Sequence, residues 1–388
     1  MRILVALSGG IDSSVVAHVL KEQGHDLVGV RFTLWSDPLA PPLAQILPNK
    51  CCNAQTAARA KKVAEDLAIP YHILDLEEEF KREVVDPFLK GYEEGRTPNP
   101  CIHCNKTVKF GRLLEFMKEV GCEKLATGHY ARVVMCRHFD YAQCDTSSSC
   151  HSERSRRMNT TMYKLLTAID SSKDQSYYLY GLSQEQLSKV LFPLGDMYKR
   201  DVYDLAKKYG VPYEEITYRE SQDLCFFPEK TPQEFLKRHA KMQEGAILNT
   251  KGENVGHHKG LPLYTLGQRR GLGIGGLKVP LEVIEKRMES NTLVVESQGK
   301  TTIDTVELQG LNWISPHYNL PLRGRERGAG KICLQVCVRS LSPRVHGTLT
   351  FSGDRGTCTF DEGQALQAPG QHCVFYQGDE VLGGGVIA

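Results

Sequence analysis

The sequence predicts an α/β protein in three parts: a parallel-sheet N-terminal domain over 1–205, a small central domain over 206–282, and a C-terminal antiparallel β-barrel over 283–388. Three observations carry this reading. Strand-like and helix-like runs alternate over the first half of the chain, as in a parallel sheet covered by helices. A Gly-Gly turn closes the first apolar run, and open parallel sheets bind ligands at such strand ends. After Val283 the apolar period becomes two, with turn residues between short runs.

Taken in order, Ile3-Leu4-Val5-Ala6-Leu7 has strand length. Ser8-Gly9-Gly10-Ile11-Asp12-Ser13-Ser14 then leads straight into the helical Val15-Val16-Ala17-His18-Val19-Leu20. Such a turn aims backbone N–H groups and the positive end of a helix dipole at one point, which suits an anion, most often phosphate. The glycines let the backbone approach the ligand, and Ser8, Ser13 and Ser14 add hydroxyls. No Gly-Lys-Ser/Thr follows, so this is not a Walker loop and has no grip on a transferring γ-phosphoryl group. A turn that merely joins strand to helix is the bland alternative. Residues 27–33 read as a second strand, Asn53 as the cap of an Ala-rich helix that Pro70 closes, and 71–74 as a third strand. A charged helix over 77–94, a helix over 106–119 and a strand over 124–127 complete the pattern. Residues 131–136 and 162–166 read as a hairpin, interrupted by a flexible insertion over 138–160 with neither period. Its Cys144, Cys150 and His151 lack a metal-binding spacing, and its Arg154, Arg156 and Arg157 suit a solvated charge run better than an RNA contact. The period-two runs are 292–296, 332–338, 348–351 and 372–376.

Composition narrows the class. A net charge of +2 with 24% charged residues is an ordinary surface, so RNA affinity must come from local patches. No stretch approaches the roughly 18 apolar residues of a membrane span, and the first strand runs directly into the turn. Neither a span nor a signal peptide is expected, and the expected location is cytoplasmic. The thirteen cysteines therefore read as reduced thiols rather than a disulfide frame.

Two further strings carry chemistry. In Asn99-Pro100-Cys101-Ile102-His103-Cys104-Asn105-Lys106 the thiols stand just before an expected helix. The helix N-terminus, with Lys106 and Lys109, should favour thiolate. Metal binding, redox exchange and chance all fit a lone CxxC; with Cys51 and Cys52 it could instead form a structural zinc site. In Ser221-Gln222-Asp223-Leu224-Cys225-Phe226-Phe227 a cysteine borders an apolar pair.

Together with the Gly-Gly turn, these strings resemble the tRNA-specific 2-thiouridylase family, whose turn is that of the ATP pyrophosphatases. Further strings match in the same order: Thr127-Gly128-His129-Tyr130, Ser172-Lys173-Asp174-Gln175-Ser176-Tyr177, Tyr264-Thr265-Leu266-Gly267-Gln268-Arg269-Arg270 and Leu382-Gly383-Gly384-Gly385. The resemblance spans nearly the whole chain outside the insertion. It implies an adenine nucleotide α-hydrolase-like domain that uses ATP, with Mg2+, to adenylate the C2 oxygen of the wobble uridine in Lys-, Glu- and Gln-type tRNAs. Sulfur then replaces that oxygen. By resemblance, Ala6, Leu7, Ser8, Gly9, Gly10, Ile11, Asp12, Ser13, Phe32 and Gly128 hold ATP. Cys225 receives sulfur as a persulfide from an upstream donor or relay protein, and Cys104 releases it by forming a disulfide. Asn99, Pro100 and Cys101 align with the segment that contacts the flipped-out base; Lys173, Asp174 and Gln175 align with a tRNA contact. A persulfide is a low-pKa, strongly nucleophilic sulfur, and adenylation makes the uridine oxygen a good leaving group. The base must leave its stack to reach such a site.

Two departures stand out. Many members have an aspartate where this chain has Cys101, which leaves Cys101, Cys104 and Cys225 as three candidate ligands of a [4Fe–4S] cluster. In the barrel, the basic-aromatic tRNA contact is replaced by Val338-Arg339-Ser340-Leu341, leaving Arg339 and Ser340 as contacts. The persulfide route and the cluster route both stay open, beside a different adenylating ligase or amidotransferase and a zinc-bearing RNA-binding protein.

Overall fold

Residues 1–41, 54–136, 161–211, 224–229, 231–275, 279–299, 301–314, 329–340 and 342–388 are described by a computed structural model. The first domain runs β1 (Arg2–Ala6), α1 (Ile11–Glu22), β2 (Asp26–Thr33), α2 (Ala54–Asp66) and β3 (Tyr71–Asp75). A helical stretch over Glu77–Phe80, Lys81–Val85 and Asp86–Glu93 follows. Then α3 (Pro100–Cys104) continues through Asn105–Arg112 and Leu113–Glu119 to β4 (Lys124–Ala126). The helix thus starts at Pro100, earlier than expected, and encloses both cysteines. The reason is local: Asn99 accepts from the Cys101 N–H at 3.2 Å as a cap, and proline is pre-set for the first helical position.

A hairpin of β5 (Ala131–Cys136) and β6 (Met162–Thr167) precedes β7 (Val190–Leu191) and α4 (Lys199–Lys208). The parallel sheet has the order β3-β2-β1-β4-β7. Strand order reverses beside β1, so a crevice opens between the ends of β1 and β4. Both faces of the sheet are buried. Leu4, Val28, Val30 and Leu125 enter one core, while Ile3, Val5, Leu27 and Ala126 enter the other.

The central domain holds α5 (Gln233–His239), β8 (Gly245–Asn249), β9 (Asn254–His258), β10 (Leu281–Arg287) and β11 (Thr292–Ser297). The sheet order is β10-β11-β8-β9, with Val294 of β11 opposite Leu248 of β8. Residues 281–297 therefore complete the central sheet and not the barrel. The expected boundary at 282/283 shifts to the gap between Ser297 and Thr302.

The last domain comprises β12 (Thr302–Trp313), β13 (Ala329–Cys337), β14 (Val345–Ser352), β15 (Arg355–Ala365), β16 (His372–Gln377) and β17 (Glu380–Ile387). The order β12-β15-β14-β13-β16-β17 closes through β12–β17 pairing, giving an antiparallel barrel. The N-terminal hairpin joins it, with Leu165 and Leu166 opposite Val381 and Glu380. One core runs from Leu4 and Leu125 through Tyr177 and Tyr180 to Val374, Tyr376 and Val381, binding the first domain to the barrel. Among the described residues no helix is long and apolar enough to cross a membrane. Asn53, Cys51, Cys52, Ser221, Gln222, Asp223 and Leu341 lie outside the described residues, as do the cysteines, histidine and arginines singled out in the insertion.

Candidate active site

The Gly-Gly turn lies in the crevice between β1 and β4. Gly9 adopts φ 79°, and a Cβ there would stand 2.0 Å from the Thr56 carbonyl oxygen of α2. Ser13 Oγ accepts from the Ser8 N–H at 3.2 Å and donates to the Gly10 carbonyl at 3.1 Å, which curls the turn around its centre. Gly10 caps α1 without any side-chain hydrogen bond. The first N–H groups of this helix are thus left to an anion. Gly128 closes the other wall: a Cβ would meet the Ser13 nitrogen at 3.0 Å.

Asp12, one residue into α1, is held from two sides. Tyr130 Oη donates to Asp12 Oδ1 at 2.8 Å, and Lys199 Nζ at 2.6 Å. Lys199 is buried, so its charge is shielded little by water. Arg31, also buried, reaches from β2 to the Ser8 carbonyl at 3.3 Å and to Thr56 Oγ1 at 3.1 Å. His129 accepts or donates at Thr127 Oγ1 over 2.8 Å; burial, with Lys109 adding to it, pushes its pKa down to about 3. It is a neutral ring.

The thiols stand beyond the ends of β2 and β3. Cys104 is buried in an apolar cluster with Phe80, Phe88 and Val108, and Cys225 packs against the same cluster. Phe32 and Leu74, at the ends of their strands, contact both this cluster and the sheet core. The Cys225 loop is fixed from below. Phe226 lies edge-on to Phe80, Phe88 and Phe235. The Asp37 N–H donates to the Phe226 carbonyl at 3.0 Å. Asp37 itself, with no side-chain exposure, accepts from Arg238 at 2.6 Å and pairs with His239 at 2.7 Å, both on α5.

One expectation about the thiols fails, and one alternative is not favoured. Burial pushes the Cys101 thiol up, and the opposing field of Lys109 does not offset it, so the helix N-terminus and lysines do not make it a ready thiolate. Among the described residues no three His, Cys, Asp or Glu side chains are grouped to hold a metal ion. Cys104 and Cys225 share the aromatic cluster while Cys101 is not among its members, which does not favour a [4Fe–4S] cluster on the three thiols.

The Lys173-Asp174-Gln175 turn is largely self-bonded. Asp174 accepts from Ala168 and Ser176 N–H groups at 3.0 and 3.2 Å, and Gln175 Oε1 from the Tyr130 N–H at 3.0 Å. Arg339 is exposed and lies on a cleft of about 800 Å³ shared with Thr97, Gln268, Arg269 and Arg270.

Three domain models match in order: the tRNA methyl transferase HUP domain over residues 1–229, its PRC-barrel domain over 233–297, and the aminomethyltransferase beta-barrel domain over 304–387. Over 390 residues the chain is 37% identical to the tRNA-specific 2-thiouridylase MnmA of Symbiobacterium thermophilum, covering 100% of this chain and 92% of that one. It is 38% identical to the enzyme of the same name from Moorella thermoacetica, covering 99% and 98% of the two chains. For Paramagnetospirillum magneticum the identity is 39%, with coverage of 100% and 95%. The chain belongs to the tRNA-specific 2-thiouridylase family.

For a chain of this family, sequence reasoning missed the supports more than the site. Tyr130 lay within a matched string, Thr127-Gly128-His129-Tyr130, which signalled it. Lys199, Arg31 and Asp37 had no such signal, since each acts across more than twenty residues of chain on a partner that only the fold supplies.

Proposed function

We propose that the chain makes 2-thiouridine at the wobble position of tRNA, by adenylating the C2 oxygen with ATP and delivering sulfur from a Cys225 persulfide. The observation that carries this reading is that Cys104 and Cys225 share one apolar cluster, which Phe32 joins to the sheet bearing the anion-binding turn.

ATP is a substrate whose phosphates suit the turn over 8–13 and the N-terminus of α1; Mg2+ enters with the nucleotide as its counter-ion. Lys199, held on Asp12, supplies positive charge to that crevice. The uridine C2 oxygen attacks the α-phosphorus, and pyrophosphate leaves. The terminal sulfur of the Cys225 persulfide then attacks C2, and AMP departs with the oxygen. Cys104 attacks the Cys225 sulfur, the bond to the transferred sulfur breaks, and a Cys104–Cys225 disulfide remains. The transferred sulfur gains the two electrons that the thiols lose, so an external reductant must reopen the disulfide. A persulfide donor protein is required upstream.

Asn99, Pro100 and Cys101 are read as the base-contacting segment. Lys173, with the turn that Asp174 and Gln175 hold, is read as a tRNA contact, and Arg269, Arg270, Arg339 and Ser340 as contacts lining the cleft. Location in the cytoplasm follows from the tRNA substrate.

Nucleoside mass spectrometry of tRNA incubated with ATP, Mg2+ and a persulfide donor tests the reading. Cys225→Ala should abolish 2-thiouridine while tRNA-dependent pyrophosphate release continues. Full thiolation by Cys225→Ala would favour a different adenylating chemistry and overturn the sulfur route.

A further inference from the structure

The segment leading into α3 is gripped by a loop of the C-terminal barrel. The Thr97 N–H donates to the Pro369 carbonyl at 2.7 Å, and Gln371 Nε2 donates to the Thr97 carbonyl at 2.6 Å. Gly370, at φ 89°, lies so close that a Cβ would meet the Thr97 carbonyl carbon and Pro98 nitrogen at 3.2 Å. His372, two residues beyond Gly370, is buried, and its ring faces the Asn99 backbone. Its Nδ1 faces Tyr180 Oη at 2.7 Å, and its own carbonyl accepts from Tyr177 Oη at 3.0 Å. The ring thus lies between Tyr180 Oη and the Asn99 backbone. On its outer side the same loop is braced by Arg339, which donates to Gln367 Oε1 at 3.3 Å and to the Leu366 carbonyl at 3.4 Å.

We infer that the barrel loop over 366–372 is a clamp that positions Asn99, Pro100 and Cys101, with His372 as its positioning residue. Asn99 uses its side chain to cap α3, so that side chain cannot also anchor the segment, and the approach to the helix is held instead by two bonds at Thr97 from another domain, with the His372 ring beside Asn99. The start of α3 sets where Cys101 stands and how Cys104 enters the aromatic cluster. Because Arg339 leans on the same loop, a phosphate drawn to that guanidinium and the base-contacting segment share one support. The consequence for thiolation rests on the reading of 99–101 given above; the clamp itself does not.

His372→Phe keeps the ring volume but removes both polar ring atoms and leaves Tyr180 Oη without its partner, whereas His372→Gln keeps a side chain able to hydrogen-bond there. Alkylation of the full-length chain by iodoacetamide, followed by peptide mass mapping, reads the clamp without any tRNA. The exposed Cys333 serves as internal reference. Relative to Cys333, Cys101 should be alkylated about fivefold faster or more in His372→Phe and in Gln371→Ala, and at close to the parent rate in His372→Gln. In single-turnover thiolation, His372→Phe should lose about tenfold or more in rate with tRNA affinity unchanged, and His372→Gln should recover it. Parent-like Cys101 alkylation in both His372→Phe and Gln371→Ala would overturn the clamp. If alkylation responds but the parent makes no 2-thiouridine, the clamp stands and the thiolation reading falls.

Discussion

Gly9 combines two demands that only glycine meets: a left-handed backbone at φ 79°, and a carbonyl oxygen 2.0 Å from where a Cβ would sit. The left-handed conformation alone costs another residue about 1–2 kcal/mol. The clash adds a displacement of α2 or of the turn itself. Gly24 provides the control, since it has φ 81° with nothing within 4 Å. Gly9→Ala should therefore abolish ATP binding by calorimetry, while Gly24→Ala should bind ATP as the parent does and lose only a little thermal stability. Equal ATP binding by the two variants would remove the close-approach argument. At this scale the sequence was legible wherever chemistry is written into neighbouring residues: the turn over 8–14 showed its glycines and serines directly. Cys101 was misjudged because its thiol responds to burial, and burial is decided by what the rest of the chain lays over it. The charge of Lys109 was visible in the motif; the desolvation that outweighs it was not.

The Cys225 loop owes its place to an element that sequence inspection passed over. Helix α5 presents Arg238 and His239 to the fully buried Asp37, whose N–H in turn grips Phe226. Burial raises the Asp37 carboxyl, but hydrogen bonds from His239, Arg238 and the Leu39 N–H together outweigh it and hold the group below its ordinary value. Without Asp37, Arg238 keeps Glu229 at 2.7 Å, while His239 and the Leu39 N–H lose their acceptor, a cost of about 1–3 kcal/mol. Asp37→Ala should thus lower the melting temperature clearly and slow sulfur transfer, yet leave tRNA-dependent pyrophosphate release near the parent rate. A loss of pyrophosphate release as large as the loss of thiolation would contradict this division of labour. The elements themselves were largely readable, since β2, β3, β5, β6 and the last barrel strands fall close to the apolar runs that predicted them. The sheet that each strand joins was not. Alternation in 292–296 signals a half-buried strand, but the same period serves the central sheet and the barrel, and only pairing with β8 decides.

Across the whole molecule, two buried imidazoles set an acid limit. Burial pushes His129 down to about 3, and His372 to about 4, with His103 adding to the depression and the Asn99 backbone opposing it. Both rings stay neutral in the fold but would accept a proton near pH 6.5 once unfolded. Their contribution is complete above that value and is lost as the pH falls toward 4, at roughly 1.4 kcal/mol per pH unit for each proton. The melting temperature should decline from pH 7 to pH 5, and His372→Gln should make that decline shallower; parallel curves would refute the assignment. The hairpin that the first domain lends to the barrel adds a constraint of another kind. β6 (Met162–Thr167) pairs with β17 (Glu380–Ile387), far along the chain, so this sheet cannot be finished until synthesis has passed that strand. During translation the parallel sheet can close while the hairpin waits with an open edge, which is the state in which a nascent chain most needs a chaperone. Assembly of the thiol-bearing helix against its clamp is thereby deferred until the barrel strands have been made, and a chain halted before β17 would carry its Gly-Gly turn without a finished site.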